Sequence, residues 1–76
     1  MIREHERVVL KSPVLDKGLE AGDVGNVVHV YRDREAYEVE FVALDGHTAT
    51  VVTVETSQVR PVARGEIPNA RELVAV

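Results

Sequence analysis

A chain of 76 residues is one domain, and a domain that short buries only about 60% of its unfolded surface, leaving little interior for a deep catalytic cleft. Nine basic residues against thirteen acidic give a net charge of −4, which disfavours a strong non-specific binder of phosphate backbones. Cysteine is absent, which excludes disulfides, thiolate catalysis and cysteine-based zinc sites and agrees with a reducing compartment. Met1 to Arg7 is charged and lacks a signal-peptide apolar region, and no apolar run approaches the length of a membrane span. The expectation is a soluble cytoplasmic protein with no membrane association. Stability of about 4 to 11 kcal/mol is the usual range for this length.

Arg7-Val8-Val9-Leu10-Lys11 reads as a first strand, ended by Ser12-Pro13 because proline cannot donate to a ladder. Val14 to Gly22 is irregular, with Leu15 and Leu19 expected to anchor it in the core and Gly18 expected to turn it. The segment from Gly22 to Tyr31 is the clearest signal of fold. Two glycines three residues apart let the backbone turn or bulge where a Cβ would clash, and the valines that follow favour extended structure. A second strand is therefore expected over about Val24 to Tyr31.

Arg32-Asp33-Arg34-Glu35 is a polar turn. Tyr37-Glu38-Val39-Glu40-Phe41 then alternates apolar and acidic at period two, which puts Tyr37, Val39 and Phe41 inward and Glu38 and Glu40 outward. Asp45-Gly46 signals a hairpin, since both positions tolerate positive φ. The fourth strand, Thr48 to Val54, is partly apolar on both sides, as in a strand covered twice, and its inward face is ambiguous. Glu55-Thr56-Ser57-Gln58 fits one helical turn, and Val59-Arg60-Pro61-Val62 a short last strand whose proline suits an edge or a strand end. Beyond it, Ile67, Ala70, Leu73 and Val74 fall at helical spacing. The division expected is a mainly β domain over 1–62 and a tail over 63–76 that forms a short helix or runs extended.

Strand, irregular loop, strand, turn, strand, hairpin, strand, helical turn and short strand is the order of a five-stranded SH3-like β-barrel, which the chain resembles from about Arg7 to Val62. More closely, Gly22-Asp23-Val24-Gly25, Val28-His29-Val30-Tyr31, Glu35 to Phe41 and Ser57 to Val62 resemble a small bacterial family, domain of unknown function 4926. Asn26 stands where threonine is more usual. That resemblance covers most of the chain and implies no catalytic or binding residue. The Gly-Asp-x-Gly-x-Val turn is also similar to the KOW element of ribosomal and transcription-factor barrels, and to the SH3-like domain of nitrile hydratase β subunits. A turn of this kind recurs in small barrels and does not carry function across.

The chemistry-bearing residues are few. His5, His29 and His47 lack short ligand spacing, so no metal or other cofactor is expected, and Asp45 beside His47 reads as turn chemistry. Ser12 and Ser57, the only serines, sit in no nucleophile-elbow pattern. Three aromatics are too few for a polyproline groove or for base stacking. If Val24, Val28 and Val30 point inward, Val27, His29 and Tyr31 line an apolar outer strip for a protein partner or self-association, unless the loop or the tail covers it within the chain. The leading expectation is a non-enzymatic binding or accessory module that neutralises or supports a partner encoded nearby. The alternatives are a KOW-like RNA contact through Arg32, Arg34 and Arg60, and a non-catalytic subunit of a larger enzyme.

Overall fold

The structure, a computed structural model, describes residues 2–33 and 35–73. Among the described residues, five strands form one antiparallel sheet: β1 (Arg7–Leu10), β2 (Val24–Val30), β3 (Ala36–Val42), β4 (Thr48–Glu55) and β5 (Val59–Pro61). Their order is β4-β3-β2-β1-β5, so β1, β2 and β3 are interior and β4 and β5 are the edges. Single 3-10 turns lie at Leu15–Lys17 and Thr56–Gln58. The second is closed by the Glu55 backbone N–H donating to Gln58 Oε1 at 2.7 Å, as the polar run before β5 predicts. No helix among the described residues is long and apolar enough to cross a membrane.

One face of the sheet carries the core. Val8 and Leu10 from β1, Val27 from β2, Tyr37, Val39 and Phe41 from β3, Val52 and Val54 from β4 and Val59 from β5 are buried together. Ile2 and Leu19 join them from the amino-terminal arm and the irregular loop. The alternation in β3 is as the sequence predicts. In β4 only Val52 and Val54 are covered, and Ala49 and Val51 are exposed, so the expectation of a strand covered twice is corrected. Leu15 is also corrected: it is 78% exposed, because the 3-10 turn aims it outward while Leu19, bridged to Val14, dips in.

The largest departure lies in β2. Val27 pairs with Val39 but His29 pairs with Glu38, so Val28 is an extra residue, a β-bulge. Strict alternation would send Val24 and Val28 inward and Val27 outward. Instead Val27 is 0% exposed, whereas Val24 and Val28 are exposed and Val30 is half-buried against the core. The amino-terminal arm secures this geometry. His5, in the left-handed region at φ 73, donates its N–H to the Val27 carbonyl at 2.6 Å, and the Val27 N–H donates to the Glu6 carbonyl at 2.9 Å.

The hairpin after β3 uses only half of its Asp-Gly signal. Gly46 takes φ 97 while Asp45 keeps negative φ. Asp45 Oδ1 instead accepts the His47 N–H at 3.1 Å, and Ala43 closes the loop by donating to the His47 carbonyl. Of the two conformations expected for the tail, a short helix or an extended run, the structure shows the second despite the helical spacing of Ile67, Ala70 and Leu73. Residues 63–73 carry no helix, Ile67 is 86% exposed, and Leu73 packs against the core from an extended segment. So short a helix is marginal in water, and contacts with the domain decide the conformation instead. Val74 lies outside the described residues.

The two glycines of the opening turn have different jobs. Gly22 reverses the chain at φ 97. Gly25 is inside the sheet, where a Cβ would stand 2.5 Å from Val39 Cγ1 and 3.0 Å from both the Glu40 carbonyl oxygen and Phe41 Cε1. Val39 is fully buried and has nowhere to retreat. Gly25→Ala is therefore expected to cost about 1–3 kcal/mol by overpacking, and Gly22→Ala about 1–2 kcal/mol by backbone strain. Thermal unfolding checks both, each kcal/mol lowering Tm by about 4–8 °C in a domain of this size.

Candidate functional site: the outer face of the sheet and its tail clamp

The face opposite the core is built by cross-strand rows. His29 of β2 stands beside Glu38 of β3 and that beside Thr53 of β4, and the next row runs Asn26, Glu40, Val51. Because the bulge restores alternation after Val28, His29 and Tyr31 share this face. Their rings meet edge to face, with centroids 4.8 Å apart and an interplanar angle of 89°. His29 Nδ1 lies 3.8 Å from Glu4 of the amino-terminal arm.

Glu38 and Glu40 face outward, as their alternation predicts, and both are half-buried and hydrogen-bonded. Glu38 accepts from the Thr53 hydroxyl and, at 3.3 Å, from Tyr31 Oη. Glu40 accepts from the Thr48 hydroxyl. The threonine hydroxyls thus hold both carboxylates to the neighbouring strand, β4. Val28 at 40% and Tyr31 at 39% are exposed here, together with Val24, Val42 and Val51.

Of the three residues expected to line an outer strip, the structure brings His29 and Tyr31 together and removes Val27 to the core. Val28 takes its place on the outside. The structural reason is parity: Val27 is two residues from Gly25 and three from Val30, and all three point inward, which a regular strand cannot satisfy. Of the arginines considered for an RNA contact, Arg32 lies in the exposed turn after β2 and Arg34 falls outside the described residues. Arg60, in β5, is forked onto Glu66 at 2.9 and 2.7 Å. His47 is exposed at the hairpin, 3.3 Å from Asp45, and His5 lies in the amino-terminal arm.

A second cluster is not legible in the sequence because Asp23 and Arg71 are 48 residues apart. Arg71 donates through Nε to Asp23 Oδ1 at 2.9 Å and through Nη2 to Asp23 Oδ2 and, at 3.1 Å, to the Gly18 carbonyl. Glu20 Oε2 is 3.7 Å from Arg71 Nη1, and the Glu20 N–H donates to Asp23 Oδ2 at 2.8 Å. Beside this clamp the segment 67–73, the Ala21–Val24 turn and residues Val42–Leu44 at and just beyond the end of β3 line a groove of about 360 Å³.

A mainly β domain of one antiparallel sheet, with an apolar and acidic outer face, is the class that fold and site define. Within it, the chain belongs to the family described as Domain of unknown function (DUF4926), whose model matches residues 4–61, in agreement with the resemblance carried by Gly22–Gly25 and the strands around it. No curated protein and no solved structure matches the chain.

Two carboxyls that fasten the tail, Asp23 and Glu66, are acidified. Burial raises the Asp23 carboxyl, but hydrogen bonds from Arg71 and the Glu20 backbone and the Arg71 charge outweigh it and hold it below the usual range. Hydrogen bonds from Arg60 and the Ala63 backbone lower Glu66 to about 2. Both groups bind protons less tightly folded than unfolded, so their contribution is complete at neutral pH. The Glu66 share declines below about 4.5 and is lost as pH passes about 2. NMR shifts of residues 63–73 are expected to move in that window, and Glu66→Gln and Asp23→Asn to flatten the response. A midpoint near 4.5 would contradict the pairing.

Proposed function

We propose that the domain is a non-enzymatic binding module, an SH3-like barrel in which the outer face of β2 and β3 contacts another protein. The observation that carries this reading is the exposure of Val28 and Tyr31 beside His29 on a face where Glu38 and Glu40 are pinned by hydroxyls. An aromatic ring already held by Glu38 and His29 loses little side-chain entropy on binding, and tyrosine is enriched where interfaces hold most of their energy. The strand order β4-β3-β2-β1-β5, with a 3-10 turn leading into β5, fits the SH3-like order, as an open sheet whose edge strands β4 and β5 are not paired with each other. Glu4, Glu38 and Glu40 around the strip suit a partner patch that is apolar at its centre and basic at its rim. The binding residues are Val28, His29 and Tyr31; Val27 supports them from the core.

Purification of the tagged full-length chain from its native cell, with mass spectrometry and a size measurement of the isolated protein, tests this. A partner or a self-association is expected that Tyr31→Ala weakens at least tenfold, about 1.4 kcal/mol, while Tm changes little. Recovery indifferent to Tyr31→Ala and Val28→Ser, or no association of either kind, would overturn it.

A further inference from the structure

The segment 67–73 is attached in an unusual way. Among the described residues, no backbone hydrogen bond joins it to the sheet. It is held by two side chains: Arg71, forked on Asp23 and the Gly18 carbonyl, and Leu73, packed against the core. The receiving groups all belong to the part of the chain that the family model matches, 4–61, and the segment that fills them lies beyond it. Asp23 is positioned independently of Arg71, since it closes its own turn by accepting the Glu20 N–H, so the receptor for the guanidinium is built before the arginine arrives. Glu20 adds a second negative charge at the rim.

A preorganised carboxylate beside a carbonyl acceptor matches the planar fork of arginine and not the point charge of lysine. The apolar seat of Leu73 two residues on completes a recognition pattern for an extended strand, in which alternate side chains point the same way. We propose that this is a docking site for a segment of another protein carrying arginine two residues before leucine, and that residues 67–73 are a displaceable strap occupying it in cis. The groove beside the strap, lined by Val24, Val42 and Leu44 and open to solvent, gives an incoming segment somewhere to land before the strap leaves. The site lies at the opposite end of β2 from Tyr31; Val24 and Val42 border both surfaces, but neither Val28, His29 nor Tyr31 lines the groove, so Tyr31→Ala tests the outer face without altering this site.

The test uses the full-length chain and a fluorescent synthetic peptide, Gly-Glu-Ile-Pro-Asn-Ala-Arg-Glu-Leu, copied from residues 65–73. Saturable binding is expected to the double variant Arg71→Ala/Leu73→Ala, at least tenfold weaker binding to the unaltered chain, whose strap competes, and loss of binding when Asp23→Asn is added. A peptide with alanine for its arginine should not bind. In the unaltered chain, excess peptide should move the NMR signals of Ile67 to Leu73 towards their free positions. Absence of saturable binding, equal binding of the alanine peptide, or failure of the double variant to unfold cooperatively would overturn the proposal, the last because the strap would then be part of the core. A dimer of the unaltered chain that the peptide disperses would assign the site to a second copy and overturn it as stated.

Discussion

The structure turns on one residue in excess. A β-strand alternates its side chains between two faces, and β2 breaks that rule once, at Val28. Before the bulge, Gly25 and Val27 look inward; after it, Val30 does, and His29 and Tyr31 look outward. Without the extra residue, the parity that buries Val27 would bury His29 and Tyr31 as well. The bulge thus lets one short strand serve the core along its first half and the solvent-facing site along its second. It is held from both sides, by β3 through the shifted register and by the amino-terminal arm through His5 and Glu6.

The second constraint is the close approach of β2 to β3. Gly25 leaves room for Val39 and Phe41 to fill the space beneath it, so the core of a domain with few large side chains is built from intimate backbone contact as well as from valines. Leu19 and Ile2 then close its margin. The tail adds a third layer of a different kind, fastened by Arg60 to Glu66 and by Arg71 to Asp23. Charge-assisted pairs at a surface respond to pH and salt in a way that buried valines do not, which makes the tail the part of the fold most open to control.

Local chemistry in the sequence reveals the five strands, the 3-10 turn before β5, the inward set of β3 and the turning role of Gly18, Gly22 and Gly46. Each is written in residues adjacent to one another. What depends on distant residues is not legible in this way. The parity of β2 requires knowing that Val27 faces Val39 and that the arm returns to pair with it. Leu15 and Leu19 are alike in sequence, and only the direction of the 3-10 turn separates them. The helical spacing of Ile67, Ala70 and Leu73 is real but loses to the contacts of Arg71 and Leu73 with the domain. For the outer strip, His29 and Tyr31 are readable from alternation counted back from the turn at Arg32, whereas Val27 needs the bulge.

The chain's lack of cysteine makes the central claim, that Val28 is a bulge which turns β2 over, directly measurable. Single variants Val27→Cys, Val28→Cys, His29→Cys and Tyr31→Cys, each placed in the full-length protein, are labelled with a thiol reagent under native conditions. Fast labelling is expected at 28, 29 and 31 and protection of about a hundredfold or more at 27, where the thiol must wait for local opening. Fast labelling at 27 with protection at 28 would mean an unbroken strand, and would contradict the bulge.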